Sequence, residues 1–287
     1  MLHNLKDVTI CAIDSVHPHL AARALTLSSK FCTFQSSLLL TDQDIQGPAF
    51  RTIPIQRLNS SEDYSRFILA ELTTHIHTPF VLIVQWDGYV VDANQWQESF
   101  LQYDYIGAVW PWDWVPDHKR VGNGGFSLRS KRLLDITSYD PQFIYVEGQP
   151  EDLLIGNVNH EYLTESCNIQ FAPVDLANQF AYECLVPNTP TLGFHGLFNI
   201  WRHNNDEQML DIIDQLSAYL LKSQSYIELI IHYYNLRNFK LLTALYKKMK
   251  TSLNDEDIIS SFKHYAQYKI DMNHCIHLCE QLLTRPY

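Results

Sequence analysis

Three short apolar runs fix the kind of fold this chain can adopt. VTICAI (8–13), SSLLLT (36–41) and FVLIVQ (80–85) are shorter than an ordinary helix and too apolar for a strand with one face in water. They read as strands buried on both faces. Stretches of helical spacing lie between them, HLAARALTLSSKF from His19 and SRFILAELTTHI from Ser65, and YDYIGAVW (103–110) reads as a fourth strand. Strands alternating with helices predict an α/β chain whose sheet is largely parallel. In such sheets ligands collect beyond the carboxyl ends of the strands. That places Asp14, Thr41-Asp42 and Gln85-Trp86-Asp87-Gly88 around one crevice.

The punctuation residues divide the chain. Nine of the 10 glycines lie between Gly88 and Gly196, and no proline falls between Pro190 and Pro286. Residues 206–284 therefore read as uninterrupted helices, with polar junctions near Lys222-Ser223-Gln224, Asn238 and Asn254-Asp255. SYIELIIHYYNLRNFKLLTALYKKMK predicts a helical hairpin that turns between Asn235 and Asn238. Its Tyr and Leu spacing faintly resembles tetratricopeptide hairpins, without a fixed repeat. The expected organisation is an α/β domain over 1–205 and a helical domain over 206–287.

Charge narrows the partners. The chain carries a formal −11, with 12 basic against 22 acidic residues in 1–205 and 9 against 10 afterwards. Nucleic-acid binding needs a basic face and is excluded as a general role. An acidic first domain can still take an anionic ligand through a bridging metal ion. The N-terminal MLHNLKDVTICAID lacks the pattern of a secretion signal, and no apolar run reaches the roughly 20 residues of a membrane span. Six cysteines without a CxxC pair read as reduced thiols, so the expected location is cytoplasmic.

Several features carry candidate chemistry. Three glycines fall within Gly122-Asn123-Gly124-Gly125, directly before a helix-like stretch from about Ser130, so the backbone there needs unusual dihedrals or room for a close neighbour. Asp87 emerges at a strand end beside Gly88, where a carboxylate suits a hard divalent cation but would equally close a turn. Glu151-Asp152 opens an apolar helix after Pro150, as an ordinary cap or as a base that takes a proton from a hydroxyl. His195 stands one residue before Gly196 in TLGFHGLFNIW, a setting for a ligand or phosphate contact. Five of the six tryptophans fall between Trp86 and Trp114, and WPWDW beside the glycines offers flat walls for a sugar ring or a base as well as core packing. Arg129 follows the glycines closely enough to reach a phosphate. HCIHLCE, with Cys275 and Cys279 four apart, is too sparse in ligands for a zinc site.

In order, FVLIVQWDGYVVDANQW, YDYIGAVW, VGNGGFSLRSKRLL, EDLLIG, FAPVDLANQFAYE and LGFHG resemble a bacterial family catalogued as a domain of unknown function and grouped with GT-A-fold glycosyltransferases. The resemblance covers roughly residues 8–200 and leaves the helical tail outside. It implies a GT-A-like, Rossmann-like sheet and a nucleotide-sugar-dependent hexosyltransferase that acts on a glycan or glycolipid acceptor in surface polysaccharide or lipopolysaccharide synthesis, from the cytoplasm or the inner face of the membrane. The superfamily's Asp-x-Asp element, which holds Mn²⁺ or Mg²⁺ on the donor diphosphate, is here Gln85-Trp86-Asp87, one acid short. The resemblance makes Asp87 and His195 the metal ligands and Asp152, beside Glu151, the catalytic base of an inverting transfer. Donor and acceptor contacts then fall to Asp14, Thr41, Asp42, Gln85, Trp86, Trp110, Asn123, Gly124, Gly125 and Arg129, with the glycine loop as the floor under the sugars.

Two other readings stand beside this one. A non-catalytic nucleotide- or glycan-binding module would use the helical tail to dock a protein partner. Retention of Asp87, Asp152 and His195 speaks against it. A nucleotidyltransferase would carry a glycine-rich, lysine-bearing loop at the first strand, and CAIDSVHPHLAAR has neither residue.

Overall fold

The apolar runs do become strands. Six strands, β1 (His3–Ile13), β2 (Cys32–Thr41), β3 (Arg51–Pro54), β4 (Phe80–Val84), β5 (Tyr105–Ile106) and β6 (Ser127–Ser130), form one sheet in the order β3-β2-β1-β4-β6-β5. In this computed structural model, which describes residues 3–30, 32–186 and 188–284, β1 pairs in parallel with β2 and β4, and β2 with β3. Only β6 runs antiparallel, to both β4 and β5. The fold class is the mixed, largely parallel α/β sheet that the sequence pattern predicts. Helix α1 (Pro18–Ser28) buries Leu20, Ala21, Ala24 and Leu25. Helix α2 (Ser61–Ala70) starts at Ser60, whose hydroxyl accepts the Asp63 N–H. Phe67 and Ile68 of α2 join Cys11, Leu38, Leu40, Val81 and Ile83 in one core. Phe31, at the end of the first expected helical stretch, lies outside the described residues.

The sequence of connections matters for the site. The chain moves from β1 outward to β2 and β3, then returns to the other side of β1 as β4. A crevice opens at such a reversal, between the carboxyl ends of β1 and β4. Asp14 follows β1 and Asp87 follows β4.

Strand β6 was not visible as an apolar run, because SLRS buries an arginine. It corrects the expectation that the glycines lead straight into a helix: the strand comes first, and helix α3 (Lys131–Tyr139) begins after Ser130, whose hydroxyl accepts the Leu133 N–H. Because β6 is antiparallel, Ser127 pairs with Ile83 at the far end of β4. The glycine loop just before Ser127 is thereby brought beside Gln85-Trp86-Asp87. The expected strand over 103–110 shrinks to Tyr105–Ile106. Beyond it the Asn123 carbonyl crowds Gly107 so closely that no side chain fits, and regular pairing stops.

Helix α4 (Glu151–Leu153) continues as a widened turn over Leu154–Val158. Helix α5 (Val174–Phe180) leads into β7 (Ala181–Tyr182), which pairs in parallel with β8 (Gly193–Phe194). This register sets Glu183 beside His195.

The chain divides into two compact units, Met1–His195 and Gly196–Tyr287, ahead of the 205/206 position suggested by composition. The second unit holds α6 (Asp206–Gln215), α7 (Gln224–Asn235), α8 (Phe239–Ser252), α9 (Asp255–Tyr265) and α10 (Met272–Thr284). Its polar junctions are caps: Asn205, Ser223, Asn238 and Asn254 each accept a backbone N–H from the first turn that follows. Cys275 and Cys279 are buried on α10. Among the described residues, no helix is long and apolar enough to cross a membrane.

Candidate active site

The loop Gly122–Gly125 is buried throughout, and none of its glycines has a positive φ. Its glycines are there for space, and the space is taken by the protein itself. A methyl group on Gly122 would enter the Trp110 ring, and one on Gly125 would enter the His195 imidazole. On Gly124 it would lie 2.5 Å from Glu151 Oε1 and 3.0 Å from Asp152 Cβ. The expectation of a bare floor under the sugars is corrected accordingly. The loop is a socket into which the candidate catalytic side chains press.

Asp152 is held by two amides. The Gly124 N–H donates to its Oδ2 (3.2 Å) and the Leu153 N–H to its Oδ1 (2.8 Å). Burial, reinforced by the neighbouring charge of Glu151, pushes its carboxyl up to about 7. A carboxylate so placed changes protonation near neutral pH, as a general base should. Glu151 itself is 3% exposed and bound by Arg129 Nη2 at 2.6 Å. That arginine is 0% exposed and also donates to Ser127 Oγ from Nε. The structure therefore corrects two expectations. Arg129 is turned inward to neutralise Glu151 and cannot meet a phosphate from solvent, and Glu151 is an ion-pair partner beneath Asp152, out of reach of a substrate.

Across the loop stands His195. Its Nδ1 is 2.7 Å from Glu183 Oε1, and its Nε2 faces Gln85 Oε1 at 3.1 Å and Asp87 Oδ1 at 3.6 Å. Burial alone would lower its pKa, but Asp87, Glu183 and Asp152 outweigh burial and raise it to about 9. Burial would likewise raise Glu183, yet the bond to His195 and that ring's charge bring it below the ordinary range. Gln85 and Gly88 close a tight turn, with the Gln85 N–H donating to the Gly88 carbonyl (3.2 Å) and the Gly88 N–H donating back (3.0 Å). The turn presents Asp87 at its tip, and Gln85 Nε2 is anchored on Tyr64 Oη at 2.8 Å. After His195 the chain turns at Gly196 with φ +101°, a conformation that only glycine takes without strain.

These groups fit a divalent cation. The His195 Nε2 faces an amide oxygen at 3.1 Å and a carboxylate oxygen at 3.6 Å, and an ion of the Mg²⁺ or Mn²⁺ class that displaces the Nε2 proton could bridge the three. The carboxylate on the far ring nitrogen is the usual partner of a metal-bound histidine. Among the described residues a second donor group gathers elsewhere, His118, His160 and Glu161. Lys119 holds both oxygens of that glutamate, at 2.6 and 2.8 Å.

The remaining expected contacts fall into two sets. Asp14 and Asp42 reach the crevice side. Asp14 Oδ1 accepts the Val16 and His17 N–H groups, both at 2.6 Å, and burial, helped by Asp87 and Asp42, raises its carboxyl to about 6. Asp42 pairs with Arg57 at 3.3 Å. The others turn inward. Thr41 is 0% exposed and accepts the Gln43 N–H, which corrects its assignment as a ligand contact. Trp110 is core under the glycine loop. Trp86 packs on His17, with ring centroids 5.1 Å apart. The buried Asn123 directs its Nδ2 toward His195 Nδ1 (3.4 Å), on the protein side of the ring.

Glu183 is the residue that sequence reasoning missed. It ends FAPVDLANQFAYE, but its role depends on the two-residue register of β7 and β8.

A family model described as "Protein of unknown function (DUF5672)" matches residues 48–195, more than half of the chain. No curated protein matches. Among solved structures, the galactosyltransferase LgtC in complex with donor and acceptor sugar analogues is similar at 10% identity and a TM-score of 0.37, over 65% of this chain and 86% of that one. The glycosyltransferase GlyE of Streptococcus pneumoniae TIGR4, in its apo form, is similar at 13% identity and a TM-score of 0.37, over 68% of this chain and 54% of that one.

Proposed function

The chain belongs to the family described as protein of unknown function DUF5672, and from that premise we propose that it is a GT-A-like glycosyltransferase, moving a sugar from a nucleotide-sugar donor to a hydroxyl acceptor. One observation carries the reading: a carboxylate that titrates near neutrality, Asp152, and a metal-competent group, Asp87 with Gln85 and His195, flank one glycine socket at the sheet's reversal point. A base on one side and an anion-holding group on the other are what displacement of a diphosphate by a hydroxyl requires.

Asp14 and Asp42 border the crevice where the nucleoside lies. Asp87, His195 and the Gln85 oxygen would hold Mn²⁺ or Mg²⁺. When bound, that ion supplies positive charge against the donor diphosphate. Glu183 fixes His195 so that Nε2 points at Asp87. Asp152 takes the proton of the acceptor hydroxyl as its oxygen bonds to the anomeric carbon. The bond from that carbon to the diphosphate breaks, and the diphosphate leaves with the electron pair. One displacement inverts the anomeric centre. Glu151 and Arg129 support Asp152 from below, Glu151 by raising its basicity and Arg129 by holding Glu151 in place. The motif resemblance further assigns the reaction to surface polysaccharide or lipopolysaccharide assembly.

The test is release of nucleoside diphosphate from a set of nucleotide-sugars, with and without oligosaccharide acceptors. Acceptor-stimulated release by the natural chain, abolished in Asp152→Asn with donor binding retained, is the expected result. Release that survives Asp152→Asn would remove the base from the scheme.

A further inference from the structure

Residues 110–120 form a loop closed at its neck and pinned along its length. The Trp110 N–H donates to the Arg120 carbonyl (2.8 Å), and Val109 bridges to Val121 below it. Inside the loop the Val115 N–H donates to the Trp112 carbonyl (3.1 Å), Val115 is buried, and Lys119 Nζ donates to the Asn157 carbonyl (3.1 Å). Pro111 and Pro116 stiffen what remains.

This loop displays a ladder of indoles. Trp110 and Trp112 stack with centroids 5.5 Å apart at 27°, and Trp112 and Trp114 with centroids 5.4 Å apart at 9°. Trp110 is buried, but Trp112 is 37% and Trp114 59% exposed. Trp112 is the middle rung, so the free indole face is the outer face of Trp114, and on a pre-ordered loop that face is costly to leave in water and inexpensive to bind with, because little entropy is lost on contact. The foot of the ladder is part of the candidate active site. The Trp110 ring edge meets Gly122, the first residue of the socket, and Gly156, on the turn that continues from Asp152.

The local charges select the occupant. Lys119 is paired with Glu161 and Arg120 with Asp117, so the loop's cations are committed. Asp113, between the two tryptophans in sequence, is exposed and adds negative charge to the loop. An anionic ligand meets no spare positive charge there. A neutral sugar ring can lay its C–H face on an indole and needs no counter-charge.

We propose that the outer face of Trp114, held in place by its stack on Trp112, is the acceptor subsite, a platform for a neutral pyranose of a glycan at the outer end of a ladder that starts on the Asp152 side of the site. The proposal rests on the transferase reading for the word acceptor, and on the ladder alone for the sugar.

The experiment compares the full chain with Trp114→Ala on an array of neutral oligosaccharides and on vesicles of phosphatidylethanolamine and phosphatidylglycerol. Melting with nucleotides is followed in parallel. Trp114 is the more exposed of the two and does not stack on the buried Trp110, so the variant should melt close to the natural chain. The expected result is binding to at least one neutral glycan that weakens about tenfold or more in the variant, with the nucleotide response unchanged. Absence of neutral-glycan binding, glycan binding that the variant retains, or tryptophan-dependent binding to vesicles alone would each overturn the proposal. Tryptophan-dependent glycan binding without any nucleotide response would uphold the platform while removing the transferase reading.

Discussion

Asp152→Asn should make the protein more stable at alkaline pH while removing its activity. The substitution keeps the shape of the side chain and deletes its charge. In the folded chain the Asp152 carboxyl is raised from 3.8 to about 7, chiefly by burial and then by Glu151. A raised carboxyl binds its proton more tightly folded than unfolded. Its contribution is therefore fully present below about pH 3.8 and is lost as pH climbs through about 7. At about 1.36 kcal/mol per pH unit, the loss amounts to about 4 kcal/mol. The asparagine has no such loss. It does carry a constant penalty, because its single oxygen cannot accept from both the Gly124 and Leu153 N–H groups, and a stranded donor costs about 1–3 kcal/mol. The two effects have opposite signs and only one depends on pH, so the stability curves should cross. Near pH 4 the variant should melt below the natural chain and near pH 8 above it, a relative swing of about 8–16 °C at about 2–4 °C per kcal/mol. Scanning calorimetry of both proteins across that range is the assay. The same titration should appear in the natural chain's rate, with kcat/KM rising with pH through about 7. A melting difference that stays constant from pH 4 to pH 8 would refute the argument, because Asp152 would then be an ordinary exposed carboxylate.

Three further substitutions probe the surrounding architecture. Gly125→Ala drives a methyl into the His195 ring, so it should cost about 1–3 kcal/mol in melting and displace His195, seen as loss of Mn²⁺ binding by paramagnetic resonance. Glu183→Ala removes the acceptor on His195 Nδ1 and should weaken Mn²⁺ binding about 10–100-fold with the fold intact by circular dichroism. Arg129→Met strands Glu151 in the interior and should cost about 3–5 kcal/mol in urea unfolding, while Arg129→Met/Glu151→Leu should recover most of it.

The sequence displayed the parallel half of the sheet because strands buried on both faces must be apolar along their whole length, as VTICAI and FVLIVQ are. Strand β6 escaped that test. Its arginine is buried against Glu151, which lies 22 residues away, and only that pairing makes SLRS acceptable inside a sheet. The glycine cluster announced close approach but not by what. The approaching groups, Trp110, Glu151 and His195, come from three other segments, and nothing local distinguishes a side chain of the same protein from a ligand. Thr41 shows the reverse error. It sits at a strand end as expected, yet it faces inward, because alternation along the last turn of a strand is too short to orient from sequence. Glu183 was hidden for a related reason: a pair of two-residue strands has no periodicity to detect, although it alone sets the glutamate against His195.

The most direct test of the donor site is melting of the full chain with UDP, GDP or CMP, each with and without Mn²⁺, beside Asp87→Ala. A ligand at one hundred times its Kd adds about 2.7 kcal/mol, or roughly 5–11 °C here. A rise of that size with one nucleotide, dependent on Mn²⁺ and absent in Asp87→Ala, is the predicted result. Melting unmoved by every nucleotide, or raised equally without metal and in Asp87→Ala, would contradict the account.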